Sequence, residues 1–119
     1  MAQRDLIVDY INAYNRFDIP AMLACLTHDV RFEHYDKHVL QLSVAGLNDF
    51  EQVARQSLEL FSTREQRILA LRTHDAGISV DISFTAQTAS GQPHQLLKLQ
   101  GSSEFRFKDG LICEIRDYC

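Results

Sequence analysis

The chain has 119 residues, enough for one ordinary domain spanning 1–119 and too few for a catalytic domain with a separate regulatory one. With 45% apolar and 24% charged residues it can close a core, so it is not a disordered tail. A formal charge of -4 with no basic run disfavours a nucleic-acid partner, because a phosphate backbone would be repelled.

The opening segment carries Leu6, Ile7, Tyr10, Ile11, Tyr14 and Phe17 at spacings of three and four, which predicts an α-helix with these residues on its buried face. Asp18 is placed to cap a second helix, with Pro20 in the first turn and the apolar run Ala21 to Leu26 behind it. From Val30 the period changes to two, so Val30, Phe32 and His34 share one side of a strand. After a mixed stretch from Asp36 to Gly46, Asn48 and Glu51 resemble a capping box. Phe50, Val53, Ala54, Ser57, Leu58 and Phe61 then trace one face of a third helix.

The remainder has the grammar of four strands, with turns at Asp75 to Gly77, at Ser90, Gly91 and Pro93, and at Lys108 to Gly110. Ile78, Val80, Ile82 and Phe84 share one face, as do Ser103, Phe105 and Phe107. In the last strand Leu111, Cys113, Ile115 and Asp117 fall together, opposite Ile112, Glu114, Arg116 and Tyr118. Helices first and an antiparallel meander second predict an α+β fold, with the helices across one face of a curved sheet. A chain this short is expected to leave only a small internal pocket.

The informative residues are the polar ones that the periodicity turns inward, namely Tyr10, Tyr14, His34, Ser103 and Asp117. Tyr10 and Tyr14 lie one helical turn apart, about 6 Å along the axis, so both hydroxyls lean into one volume. Taken singly, each has an ordinary reading: a core tyrosine bonded to a carbonyl, a satisfied core histidine, a serine at a strand start, a wet carboxylate near a chain end. Their convergence on one side is what points to a site, with Phe32, Phe105 and Ile115 as its apolar wall.

Other motifs fail on geometry. His34 and His38 have the spacing of a helical metal pair, but in a strand that spacing means about 13 Å, so no metal is expected. His28, His74 and His94 fall where solvent reaches. Cys25, Cys113 and Cys119 are odd in number and lack ligand spacing, so neither a disulfide framework nor a zinc knuckle is expected and a reducing, cytoplasmic setting fits best. There is no Gly-rich phosphate loop or nucleophile elbow, hence no expected cofactor. Charges interrupt the first residues and no apolar run approaches the roughly 20 residues of a membrane span, so no membrane partner is expected.

The stretches "YINAYNRFDIPAMLACLTHDVRFEH" and "SSEFRFKDGLICEIRDYC" resemble the nuclear transport factor 2-like superfamily, in particular its SnoaL-like and ketosteroid isomerase-like branch. The resemblance spans nearly the whole chain. It implies a cone-shaped α+β barrel with an apolar pocket, as a homodimer. Tyr10 falls where the isomerases carry the tyrosine that donates to the oxyanion, His34 where they carry the aspartate base, and Ser103 where they carry a protonated aspartate. Asp117 lies where SnoaL-like cyclases keep a proton-transfer aspartate. The implied activity is proton transfer next to a carbonyl of a small apolar substrate, by an isomerase or cyclase. His34 would be the base, with Asp117 placed to orient it, Tyr10 the enolate donor and Tyr14 and Ser103 substrate contacts. A binding or interaction module without chemistry is the alternative, and hydrolysis by a water held at Asp117 a third.

Overall fold

The computed structural model describes residues 2–89 and 95–119. The expected turn at Ser90, Gly91 and Pro93, together with His94, lies outside them. Helix α1 spans Gln3–Asn15 and buries Leu6, Ile7, Tyr10, Ile11 and Ala13, the face that the sequence spacing marks. It stops at Phe17, whose backbone takes the left-handed conformation (φ 60°). The Asp18 side chain then accepts a hydrogen bond from the Ala21 N–H at 3.2 Å and caps α2, Ile19–Ala24. Leu26, expected at the end of this helix, instead opens strand β1, Leu26–Asp36.

The stretch from Asp36 to Gly46 contains a strand that the sequence does not announce. Strand β2, Val39–Ala45, pairs antiparallel with β1. Lys37 and His38 form the turn between them, both at positive φ (51° and 69°), the conformation a tight hairpin needs. Helix α3 runs Leu47–Ser57 and starts from Gly46, whose φ of 92° and ψ of 151° suit glycine, so the expected Asn48 cap is not used. Phe61, expected on the third helix, begins β3, Phe61–His74. Strands β4 (Gly77–Thr88), β5 (Leu96–Lys108) and β6 (Leu111–Tyr118) complete the chain.

The six strands form one sheet in the order β2-β1-β6-β5-β4-β3. The sheet curls but does not close into the expected barrel, because β2 and β3 remain as its two edges. Nor is it wholly antiparallel: β1 and β6, second and third in that order, run parallel, with Phe32 opposite Ile115 and His34 opposite Asp117. Helix α1 lies against β3 and β6, and α3 against β1 and β2.

The inward face of β4 follows the expected alternation, with Ile78, Val80 and Ile82 buried. Strand β6 does not. Ile112 (0% exposed) and Ile115 (1%) are both in the core, three residues apart, although simple alternation puts them on opposite faces. The pairing of β6 with β5 shifts between Arg106 and Phe107, so one residue is taken up in a bulge and the face reverses. The same reversal returns Asp117 to the inward side beside Ser103.

Candidate active site

Between the curled sheet and the helices lies a cavity of about 680 Å³, much larger than the length of the chain suggests. Because α1 and α3 rest on different parts of the sheet, the ground between them is left uncovered. Its wall is mostly apolar, with Met22, Phe50, Ile82, Phe84 and Phe105 prominent. Tyr10, Tyr14, Phe32, His34, Ser103 and Asp117 line the same cavity, so the inward polar residues do converge. Ile115, expected on this wall, is instead sealed in the core behind it.

Asp117 is the chemical centre of one end. Ser103, 4% exposed, donates its hydroxyl to Asp117 Oδ1 at 2.5 Å, which the facing positions of the two residues across β5 and β6 make natural. Burial pushes the Asp117 carboxyl above its ordinary pKa, while the Ser103 bond and the nearby His34 pull the other way. A carboxylate in apolar surroundings holds its proton more tightly than in water and accepts one more readily. His34 faces Asp117 across β1 and β6, next to the shift in β1 pairing between His34 and Tyr35. No hydrogen bond joins His34 to Asp117 among the described residues. The imidazole instead has its Nε2 at 3.9 Å from Cys119 Sγ at the cavity wall.

Tyr10 reaches the cavity from α1, its ring edge-on to Phe105 at 6.2 Å between centroids. Burial first, and then the Asp117 carboxylate, raise the Tyr10 phenol well above its ordinary pKa. The phenol therefore keeps its proton at any physiological pH and can act as a hydrogen-bond donor.

Tyr14 occupies the other side, tilted against Phe84, which in turn meets Phe61 edge-on. Behind it stands Arg64 of β3, 5% exposed, a residue that sequence reasoning missed. Its guanidinium lies 3.7 Å from the Tyr14 ring centroid and 4.4 Å from that of Phe17. Nε donates to the Tyr14 carbonyl at 2.9 Å and Nη1 to Ser57 Oγ at 3.2 Å. Nothing in the polar run Ser62 to Arg67 marks Arg64 as buried. Its setting arises from Phe17, whose turn conformation no sequence period encodes.

Among the described residues, no group of three His, Cys, Asp or Glu side chains is placed to hold a metal ion. No helix there is long and apolar enough to cross a membrane. Cys25, Cys113 and Cys119 are free thiols, and desolvation raises the pKa of each above its ordinary value.

A family model described as a SnoaL-like domain matches residues 7–115. No curated protein matches the sequence. Among solved structures, a protein of Xanthomonas campestris pv. campestris described as a candidate polyketide cyclase is 23% identical, with a TM-score of 0.75. The match covers 98% of this chain and 89% of that one. A hypothetical protein of Catenulispora acidiphila with a ketosteroid isomerase-like fold, in complex with trimethylamine, aligns at TM-score 0.84 and 10% identity. That match covers 99% of this chain and 87% of the other. TerC, co-crystallised with polyporic acid, aligns at 0.80 and 13% identity over 97% of this chain and 88% of its own. Identities this low establish the shared fold alone.

Proposed function

Because the chain belongs to the SnoaL-like family, we propose that it is an enzyme moving a proton at the carbon next to a carbonyl. The substrate is a small, mostly apolar keto compound, and the reaction an isomerisation or a polyketide-cyclase type of ring closure. The observation that carries this reading is the Asp117 carboxyl, half-buried in the wall of an apolar cavity that Tyr10 and His34 also line.

The roles follow from what each group can do. Asp117, its proton affinity raised by burial, takes the proton from carbon. Ser103 holds the carboxylate in one orientation, and since its hydroxyl already donates to Asp117 it is a positioning residue and not a second donor to the substrate. The Tyr10 phenol donates to the oxygen that becomes an enolate, where a donor in a dry site contributes roughly 3 kcal/mol, or about a hundredfold in rate. Asp117 then gives the proton back at the neighbouring carbon, and His34, facing it across the sheet, steadies the carboxylate while it is charged.

The test is deuterium incorporation into enones and β-keto esters in D₂O. Wild type should exchange the α-proton, Asp117→Asn should lose nearly all of that rate, and His34→Ala should lose part of it. Equal rates in all three, with folding matched by circular dichroism, would remove the proposal. The missing hydrogen bond between His34 and Asp117 favours a second reading, a ligand carrier in which these groups only bind. Ligand affinity without exchange in any variant would select it.

We further propose a homodimer through the outer sheet face, which presents Glu104, Arg106, Glu114, Arg116 and Tyr118. Ile112, expected on that surface, is in the core and takes no part. The three free thiols suit a reducing, cytoplasmic setting.

A further inference from the structure

Among the described residues no carboxylate balances the charge of Arg64. The guanidinium stays protonated at any physiological pH, yet it is 5% exposed and clamped between the rings of Tyr14 and Phe17. Among the described residues it makes no ion pair with a carboxylate. Among the same residues its Nη2 has no hydrogen-bond partner. A buried, unpaired cation is costly, and a protein retains one where something else supplies the counter-charge.

The empty space nearest to it is the cavity. Tyr14 and Ser57 each touch Arg64 on one side and line the cavity on the other, so the charge stands one side chain behind the wall. Ser57 accepts from Arg64 and gives its own proton to the Ala54 carbonyl at 2.7 Å, so it transmits the charge but offers no free donor. Free donors at this end are the Tyr14 phenol and the carboxamides of Gln56 and Gln66. In surroundings of low polarity a charge so placed acts with little screening.

We propose that this end of the cavity binds the carboxylate of an apolar keto acid, drawn by Arg64 and received by the Tyr14 hydroxyl. The inference rests on the proton-transfer reading for the keto group, which would sit at the Asp117 end, and adds the second anchor. The two ends are electrically distinct: after burial, Asp117 is the stronger influence on Tyr10 and Arg64 the stronger influence on Tyr14.

The experiment compares 2-naphthoate with 2-naphthamide, matched in size and shape and differing in charge, by calorimetry on the full chain. Wild type should bind the carboxylate at least tenfold more tightly. Arg64→Met should bring the two affinities together, and Arg64→Lys should keep much of the preference. Since Arg64→Met removes a buried clamp and could fail to fold, Ser57→Asp serves as a second variant. Its carboxylate would pair with Arg64 from within, abolishing the preference while raising the melting temperature. Equal affinities in wild type, binding of neither probe, or a preference that survives Ser57→Asp or folded Arg64→Met would overturn the proposal. Anion preference without proton exchange would sink only the catalytic reading, and exchange without anion preference only this one.

Discussion

Asp117 links the chemistry of the site to the pH dependence of the fold. Its carboxyl holds a proton more tightly folded than unfolded. Between the ordinary carboxylate pKa of about 3.9 and the higher folded value, the folded state therefore binds more protons, and rising pH costs stability. Above the folded pKa the full cost remains. Asp117→Asn removes it while keeping an acceptor for Ser103, so the variant should be more stable than wild type at neutral pH. The difference should shrink as pH falls toward 4 in paired thermal melts. Constancy of that difference across the range would show that burial does not tune this group. Tyr10→Phe should lower exchange about a hundredfold with a far smaller loss of ligand affinity, since the Tyr10 bond to the ketone oxygen strengthens as charge develops there.

The elements explain why the site is held so closely, and also where sequence reasoning stops. A Cβ at Gly101 would run into the Tyr118 backbone carbonyl, so β5 and β6 approach there to a distance that only glycine permits, next to Ser103 and Asp117. Gly101→Ala should cost about 2 kcal/mol or more and weaken ligand binding together with stability, as read by denaturant melts and calorimetry. Inward faces with regular spacing were legible, which is why Tyr10, Tyr14, Phe32 and His34 could be placed from residue type alone. Strand β2 was not, because its hairpin turns at Lys37 and His38 without the glycine or asparagine that signals such a turn. The bulge that brings Ile112 and Ile115 to one face is set by pairing with β5, a long-range fact that no local period records. Ile112→Ala, by opening a cavity in the core, should cost roughly 2 to 5 kcal/mol.

At the scale of the whole molecule, a small domain gives up close packing to keep a cavity of about 680 Å³ open beneath a sheet with two free edges. Occupancy should then stabilise the fold markedly: a ligand at a hundred times its dissociation constant adds about 2.7 kcal/mol, visible as a rise in melting temperature. Multi-angle light scattering should give twice the chain mass at micromolar concentration if the outer sheet face pairs with its own copy, and a monomer there would contradict that pairing. The cavity matters more, because proton transfer there needs a ketone lying in it with its oxygen against Tyr10. An infrared difference spectrum of carbonyl-labelled 2-acetonaphthone bound to wild type and to Tyr10→Phe reads this contact without turnover. Wild type should show a carbonyl stretch shifted to lower frequency, and the variant should relieve that shift. The same frequency in both, or no bound ketone, would contradict it.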